Sequence, residues 1–489
     1  MTIRRSVLIM AGCLTLTACR TADVAANGAQ AAARNGPAEV TIDASKTYQT
    51  IEGFGTCLIS WTPEMAAWYR RPEAVRIYAE DLRFNILRTN LWGDGTIGPV
   101  EDPARISHRD PAFARNDTRT PVFIDFARAA RRINPDFKVI GTVWSPPSWM
   151  KENGRITDTL SAAIMGDDYT LADNKGVSRN RVIPSRYPHM AKWIVEMVRH
   201  YEANGVPVHA VSPANEPQFT QTFESCLWTP KDLATIAGLT ARELKAAGLE
   251  RVKLFGPETM TGFNWENGPN FRYTAAWRAN PDAFRALGFW ATHGYADGVR
   301  GDTSSNSLAQ FWEIIKGDNK PFWVTEGGTG GHSWPEPVKE GGVGLALHHA
   351  FVAGNASAFV PWQYAEDSTS EHNLMPLSGP NKKTHVVRHY SRFIPAGSVR
   401  IGADPAYGAV HASAFRKGRN LTVVLLNAGD RTQTVSLRLR EVDGIDRMNA
   451  VRTSATEDSK AMPPVQVSGG TAQVEVPGPG IVTLTTLPL

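Results

Sequence analysis

Short apolar, β-branched runs recur through the middle of the chain, and each ends in polar, Gly, Pro or aromatic residues. Runs of this kind are typical of buried parallel strands, whose carboxyl ends carry the functional residues in α/β folds. The pattern predicts eight such strands: a run ending at Gly55, and residues 85–89, 139–143, 208–213, 252–256, 289–293, 322–326 and 358–363.

Helical patterns lie between several of these runs. One buried helix face is predicted directly ahead of the strand at 208, from the spacing of Met190, Trp193, Ile194, Met197, Val198 and Tyr201. A second helix is predicted to begin at Thr229 as N-cap with Pro230 following, and to end at Gly248. Eight such units predict an α/β fold, a closed (β/α)8 TIM barrel. An open doubly wound sheet is the alternative, although the glycine-rich stretch 327–331 lacks the G-x-G-x-x-G spacing.

The pattern changes after about residue 388. Residues 421–426, 434–439, 471–476 and 481–487 alternate as short strands with no helical period between them. Residues 38–42 alternate in the same way and have no place in the barrel. We therefore predict an appended all-β sandwich module built from both chain ends, with a strand at 37–47, the catalytic barrel at 48–387 and the module at 388–489.

The first 19 residues have the features of an export signal. Arg4 and Arg5 precede an apolar run at 7–16, and the sequence Leu-Thr-Ala then leads to Cys19. This pattern resembles a bacterial lipobox and predicts an exported lipoprotein attached to the membrane only through lipidated Cys19. Arg20 indicates the outer membrane by the sorting rule of such proteins. The alternative is an ordinary signal peptide cut near Ala18; residues 20–36 are predicted to be a flexible tether.

Composition removes several classes of function. The formal charge is +4, or +2 without the two leader arginines, and no basic cluster is present, which argues against a nucleic-acid partner. The 12 His show no H-x-H or H-E-x-x-H spacing, so neither a metal nor a cofactor is expected. We expect a monomer. Cys57 and Cys226 are predicted to lie near one another at the rim of the cleft. The sequence does not decide whether they form a disulfide.

Two of the predicted strands each place a carboxylate at the carboxyl end of the predicted barrel. The run at 208–213 leads to Asn215, Glu216 and Pro217, and the run at 322–326 ends in Glu326. An isolated acid of this kind is more often a solvated loop residue. Paired carboxylates on separate strand ends are what glycoside hydrolysis requires. The other strand ends carry a set typical of sugar binding, namely Arg88, Asp94, Trp144, Asn215, His293, Tyr295 and Trp362.

Six segments resemble glycoside hydrolase family 30, within the clan of retaining (β/α)8 glycosidases. They are IEGFGTCLISW at 51–61, TVWSPPSWMKENG at 142–154, SPANEPQF at 212–219, THGY at 292–295, WVTEGG at 323–328 and SRFIPAGSVRIG at 391–402. Together they span roughly the whole exported chain. The segment containing WSPPSWMKENG and the one leading into the β module are specific to this family, whereas Asn-Glu-Pro occurs in many members of the clan.

The resemblance implies a role for each strand-end residue. Glu216 would be the general acid/base and Glu326 the nucleophile, and Arg88 would keep Glu326 ionised. Asn215 would bind the sugar 2-hydroxyl. His293 and Tyr295 would sit beside the nucleophile, Trp362 would form the floor of the sugar site, and Asp94 and Trp144 would contact hydroxyls and a ring face. The chain departs from the family at Pro213-Ala214 and at the glycines 327–331 followed by His332.

The family's substrates include xylan, β-1,6-glucan, β-1,6-galactan and glucosylceramide. The segment QFTQTFESCLWT at 218–229 resembles the polysaccharide-cleaving branches, which implies a retaining β-glycoside hydrolase acting by double displacement on a wall polysaccharide of the xylan or β-1,6-glucan type. The sequence assigns no Lys or Arg to a glucuronate contact, although Lys382 and Lys383 lie in the long loop after Trp362. The alternatives are a transglycosylase with the same residues and a non-catalytic, tethered glycan-binding lipoprotein, which both glutamates argue against.

Overall fold

The structure is a computed structural model that describes residues 38–164, 166–260, 269–295, 307–328, 330–366, 370, 372–405 and 410–489. The predicted export signal, Cys19 and the tether lie outside these residues. Among the helices that are described, none is both long and apolar enough to cross a membrane.

Thirteen strands lie in the described residues of the first part of the chain. They are β1 (Ala38–Thr50), β2 (Gly53–Leu58), β3 (Ile86–Asn90), β4 (Lys138–Thr142), β5 (Ala162–Ala163), β6 (Val208–Ser212), β7 (Phe219–Thr220), β8 (Lys253–Thr259), β9 (Leu287–Gly294), β10 (Phe322–Gly327), β11 (Ala358–Phe359), β12 (Ala365–Glu366) and β13 (Met375–Pro376). The strands of the last part are β14 (Val399–Pro405), β15 (Val410–Lys417), β16 (Asn420–Asn427), β17 (Gln433–Arg440), β18 (Arg447–Thr453), β19 (Lys460–Gln466), β20 (Thr471–Val476) and β21 (Gly480–Thr485).

The helices lie between the strands of the first part. They are α1 (Pro63–Tyr69), α2 (Pro72–Arg76), α3 (Thr120–Ile133), α4 (Tyr187–Ala203), α5 (Pro230–Ala246), α6 (Pro269–Ala279), α7 (Pro281–Ala286), α8 (Ser307–Ile315), α9 (Val343–Val352) and α10 (Lys382–Ser391).

The predicted barrel is confirmed. Within the described residues, eight parallel strands close in the order β10-β11-β2-β3-β4-β6-β8-β9. Two strands differ most from their predicted bounds. The first barrel strand is β2, because residues 48–50 continue β1 in another sheet, and β11 is only two residues long although the apolar run reaches Gln363.

Large side chains fill the barrel below its carboxyl end. Trp323 stacks on Phe289 with ring centroids 3.9 Å apart, and Phe289 stacks on Phe255 at 5.1 Å. Branched and small residues of the other strands complete this layer, including Ile86, Ile140, Ala210, Ala291 and Ala358. The barrel is therefore solid at its base, and its polar residues lie above this layer.

The predicted helix signals are found in α4 and α5. The side chains of Trp193, Met197 and Tyr201 on α4 are fully buried against the barrel. Thr229 caps α5, since its hydroxyl oxygen accepts a hydrogen bond from the Asp232 N–H at 3.2 Å. Gly248 follows this helix with φ of +70°, a conformation that favours glycine.

The module includes the first described strand, as predicted. β1 pairs antiparallel with β14 and parallel with β17, so both chain ends contribute to one mixed sheet. Among the described residues this sheet has nine strands, in the order β19-β18-β21-β16-β15-β14-β1-β17-β20. β20 also packs against β16, β19 and β21, so the sheet curls over its own apolar core. The helix α10, which spans the predicted boundary at 387, bonds to the module through His389 and Thr483, 2.8 Å apart.

Three histidines meet where the barrel helix α9 packs on β15 of the module. The rings of His348 and His349 lie 5.1 and 5.9 Å from the ring of His411. His348 Nδ1 and His349 Nε2 are buried and have no hydrogen-bond partner among the described residues. Burial, the neighbouring imidazoles and Arg400 on β14 lower the pKa of His348. Burial and His411 lower the pKa of His349 to about 4. This contact favours neutral imidazoles.

We expect this histidine cluster to make the protein less stable in acid. The folded protein keeps the rings neutral, whereas the unfolded chain takes up protons near pH 6.5, so stability is full above that pH and is lost as the pH falls towards 4. Between pH 7.5 and 5 each of these imidazoles should lower the free energy of unfolding by about 1 to 2 kcal/mol. Urea unfolding at both pH values should show a smaller loss in the double variant His348→Leu, His349→Leu than in the wild type. An equal loss in the two proteins would contradict the expectation.

Candidate active site

The polar side chains of four barrel strands meet at one end of the barrel. Arg88 lies on β3, His293 on β9 and Glu326 on β10, while Asn215 and Glu216 follow β6 directly. All are buried. Because the strands are parallel and each residue lies at or near a carboxyl end, the closed barrel brings them into one cleft.

Arg88 is the centre of this group and is fully buried. Its Nη1 donates to Glu326 Oε2 at 2.8 Å, and its Nη2 donates to Asn215 Oδ1 at 2.6 Å. Its Nε donates to Glu258 Oε1 at 3.2 Å. Three different strand ends are thus fixed by one planar guanidinium, which presents its donors in a rigid arrangement.

Glu216 lies in a different environment from Glu326. Its backbone has φ of +44°, and its N–H donates to the Glu258 carbonyl oxygen at 3.0 Å. Its Oε1 accepts from His293 Nδ1 at 3.1 Å. Burial and the charge of Glu326 raise the pKa of Glu216, against the opposing effect of His293 and Arg88. A carboxyl group in this setting favours its protonated form.

Glu326 accepts hydrogen bonds from two sides. Arg88 binds Oε2, and the Tyr295 hydroxyl donates to Oε1 through a very short contact. One oxygen of Glu326 and one of Glu216 lie within 4.8 Å of each other. Both donors bind Glu326 and neither binds Glu216, so the two glutamates lie in unlike environments, as an acid and a nucleophile must.

His293 lies between three carboxyl groups. Its Nδ1 faces Glu216 and, at 3.8 Å, Glu326, while its Nε2 faces Glu258 at 3.7 Å. Burial opposes the charged ring, but these carboxylates outweigh it and raise the pKa of His293 to about 9. His293, Glu216 and Glu326 are close enough together for a metal ion. In the structure the His293 ring is instead hydrogen-bonded to Glu216 and faces Glu326.

Glu258 is a further buried carboxylate, beneath the cleft, that the strand-end pattern did not predict. It lies on β8 with no exposed surface, and its Oε2 accepts from the Thr142 hydroxyl at 2.9 Å. The predicted strand ended at Gly256, two residues before Glu258, whereas β8 continues to Thr259. The signal was present, since Glu258 follows an apolar run in the same way as Glu326 does.

Aromatic side chains line the neighbouring part of the cleft. Trp144 is only 4% exposed, and its ring lies 5.1 Å from that of Trp362 and stacks on Trp61 at 6.3 Å. Trp61, which was not predicted as a site residue, is 37% exposed. Asp94 is also exposed, and its Oδ1 accepts from the Ser148 N–H at 3.1 Å, so it ties two of the surrounding loops together.

The predicted position of the two cysteines at the rim is wrong. Cys57 and Cys226 are both unbonded and buried. The Cys57 sulfur lies 3.7 Å from Arg88 Nη1, because β2 directs this side chain into the barrel beneath the carboxylates. Burial raises the pKa of Cys57 to about 12 and that of Cys226 to about 11, so both thiols stay protonated.

Lys382 and Lys383 are engaged elsewhere and do not reach towards a sugar acid. Lys382 Nζ pairs with Asp458 at 2.7 Å and donates to the Ser454 carbonyl oxygen at 2.7 Å, both in the module. Lys383 is fully buried and its Nζ donates to the Asn373 carbonyl oxygen at 2.9 Å.

Comparison with known proteins finds glycoside hydrolases among the sequences and the solved structures that the chain resembles. Glucuronoxylanase XynC of Bacillus subtilis is 26% identical over 298 residues, which are 59% of this chain and 60% of that protein. The same enzyme of strain 168 is 24% identical over 398 residues, 80% of this chain and 78% of that protein. Endo-1,6-β-D-glucanase BGN16.3 of Trichoderma harzianum is 28% identical over 172 residues, 34% of this chain and 33% of that protein. No family model matches the chain.

A solved structure covers nearly all of the described fold. The glycoside hydrolase family 30 subfamily 8 xylanase Xyn30A of Clostridium acetobutylicum superposes with a TM-score of 0.69 at 21% identity, over 91% of this chain and 99% of that one. The resemblance to glycoside hydrolase family 30 is confirmed. The barrel and the attached β module of this family 30-like chain therefore share the architecture of that xylanase.

Proposed function

We propose that this protein is a retaining β-glycoside hydrolase that cleaves a polysaccharide of the xylan or β-1,6-glucan type by double displacement. The observation that carries the proposal is the pair Glu216 and Glu326, whose nearest oxygens lie within 4.8 Å in unlike environments. Retaining enzymes hold their two carboxyl groups about 5 to 5.5 Å apart, whereas inverting enzymes need about 6.5 to 9.5 Å for a water between them.

The first step breaks the glycosidic bond. Glu216 donates its proton to the leaving oxygen while a carboxylate oxygen of Glu326 attacks the anomeric carbon, which gives a covalent glycosyl ester and the free leaving sugar. Arg88 and Tyr295 hold Glu326 through hydrogen bonds that fix its direction of attack. These contacts also keep its charge available until the bond forms.

The second step releases the sugar. Glu216, now ionised, takes a proton from a water molecule, and the water oxygen attacks the anomeric carbon of the ester. Glu326 leaves as a carboxylate, and the anomeric configuration is restored by this second inversion. Both glutamates return to the protonation states that burial and their neighbours favour.

Asn215 and the tryptophans are suited to hold the sugar. The Asn215 carbonyl oxygen is occupied by Arg88, so its amide N–H₂ is the part that can donate to a sugar hydroxyl. Trp362 is partly exposed beside Trp144, and Trp61 presents a larger exposed indole on the other side of Trp144. Indole faces are favourable surfaces for the apolar face of a sugar ring.

The substrate class rests on the relatives, which are glucuronoxylanases and an endo-1,6-β-D-glucanase. We expect incubation with glucuronoxylan, neutral xylan and β-1,6-glucan to release oligosaccharides from one of them, with β-1,4-glucan as a control. Chromatography identifies the products, and NMR of the first product should show a β anomer. No product from any of the three would refute the substrate class, and products longer than the substrate would favour transglycosylation.

The two glutamates should differ when each is replaced by Ala. Loss of the acid in Glu216→Ala should slow cleavage of the polysaccharide by roughly 10²- to 10⁴-fold but affect activated aryl glycosides much less. Azide should restore turnover and give a β-glycosyl azide. Glu326→Ala should abolish cleavage of both substrates, and external anions should give the α product.

A 2-fluoro glycoside should label Glu326 covalently, as peptide mass spectrometry would reveal. Glu196→Gln is the matched control, because Glu196 is a buried carboxylate that pairs with His108, Lys192 and Arg199 and touches neither catalytic glutamate. A label on any other residue, or a first product of inverted configuration, would contradict these roles.

We also propose that the chain is exported and anchored through Cys19, on the basis of its lipobox-like sequence. Cells supplied with an alkyne fatty acid should yield labelled wild-type protein and an unlabelled Cys19→Ser variant, detected by fluorescence after coupling to a dye. A wild-type protein that carries no label and begins after Ala18 would instead support an ordinary signal peptide.

A further inference from the structure

Glu258 takes no part in the two steps described above, yet it occupies the centre of the site. It is fully buried on β8, and its backbone has φ of +55°, close to the +44° of Glu216. Positive φ is uncommon for residues other than glycine and strains the backbone. The hydrogen bond from the Glu216 N–H to the Glu258 carbonyl oxygen, 3.0 Å long, joins these two unusual positions.

The Glu258 side chain contacts both cations of the site. Its Oε1 lies 3.2 Å from Arg88 Nε and 3.7 Å from His293 Nε2, and its Oε2 accepts from the Thr142 hydroxyl at 2.9 Å. Burial acts against the charge, but Arg88 and His293 outweigh it and lower the pKa of Glu258. Glu258 is therefore an anion, and it contacts Arg88 and His293 on the sides away from Glu326 and Glu216.

The charges of the buried site balance only when Glu258 is included. Arg88 of β3 and His293 of β9 contact its side chain, Glu216 after β6 bonds to its backbone, and the neutral thiol of Cys57 on β2 lies nearby. Glu326 of β10 is bound to the same Arg88 and faces the same His293. Arg88 and His293 supply two positive charges, and Glu258 and Glu326 supply two negative charges. The balance leaves Glu216 uncharged, as an acid must be. Without Glu258 one positive charge would be in excess, and a buried excess cation favours ionised carboxyl groups and neutral imidazoles.

We propose that Glu258 is a positioning residue that holds Arg88 and His293 in place and supplies the second negative charge, so that Glu216 keeps its proton. The proposal rests on the acid/base role proposed for Glu216. Its direct consequence is that His293 owes its proton in part to Glu258, and this can be measured without any substrate.

NMR of the full-length protein with ¹⁵N-labelled histidine tests the charge balance. In the wild type the His293 ring should remain protonated from pH 6 to 8, and a His293→Gln sample assigns its signals. In Glu258→Gln, which keeps the size of the side chain and removes the charge, the pKa of His293 should fall by at least one unit. An unchanged titration would overturn the proposal, whether or not any glycan is cleaved.

Kinetics test the consequence for catalysis. In Glu258→Gln the alkaline limb of the kcat/KM profile should move about one unit to lower pH for the polysaccharide, which is about a tenfold loss on that limb. Activated aryl glycosides need no acid, so they should lose little. An equal loss on both substrates at every pH would indicate a merely structural role and would contradict the proposal.

Two further variants complete the design. Glu258→Asp keeps the charge but shortens the side chain, so the pKa of His293 should stay near the wild-type value while kcat falls about tenfold at every pH. An unchanged kcat would refute the positioning role, even if Glu258→Gln failed to fold. Glu196→Gln also removes a buried, paired carboxylate, but it should leave both the pH profile and the His293 titration unchanged; a shift of either would mean that the Glu258 effect is not specific.

Discussion

The site depends on the burial of one guanidinium group. A charge removed from water is costly unless its donors all find partners, and Arg88 finds them in Glu326, Asn215 and Glu258. These partners come from the ends of three other strands. The strand ends must therefore keep their relative positions along the barrel axis for Arg88 to make all of its hydrogen bonds. The same interaction that makes the buried charge tolerable therefore also fixes the distance between the two proposed catalytic glutamates.

The surroundings of Arg88 explain how two glutamates of the same type can take different roles. Glu326 receives direct hydrogen bonds from Arg88 and Tyr295, whereas Glu216 is bonded to His293 and is buried with less support for its charge. The contrast follows from position around the barrel, since Arg88 bonds to Glu326 itself on β10 but to Asn215, the neighbour of Glu216, in the loop after β6. An acid and a nucleophile thus arise from the same residue type by environment alone.

The β module holds the start of the barrel in place. β1 runs along β14 and β17 and is followed directly by β2, the strand that brings Cys57 beneath Arg88. Late in the barrel sequence, α9 packs on β15 through His348, His349 and His411. The module therefore contacts the barrel both next to its first strand and at α9, late in its sequence.

The sequence by itself determined the barrel, the module and most of the strand-end residues, including Glu216, Glu326, Arg88 and His293. It could do so because parallel buried strands leave a local signal, an apolar run followed by a polar residue, and closure of the barrel places those residues together. The origin of β1 in the module could also be read, since an alternating strand at 38–42 had no barrel partner.

Tertiary structure alone decided how those residues pair. Glu258 was missed because β8 continues through Gly256 and Pro257, two residues that usually end a strand pattern. Cys57 and Cys226 were placed at the rim because sequence order gives no side-chain direction, whereas the pleat of β2 turns Cys57 inward. Protonation states depend on charges that are distant in sequence and only a few ångströms apart in space. The sequence therefore determined most of the residues that form the site, whereas the folded barrel added Glu258 to them and decided which of them carry charge.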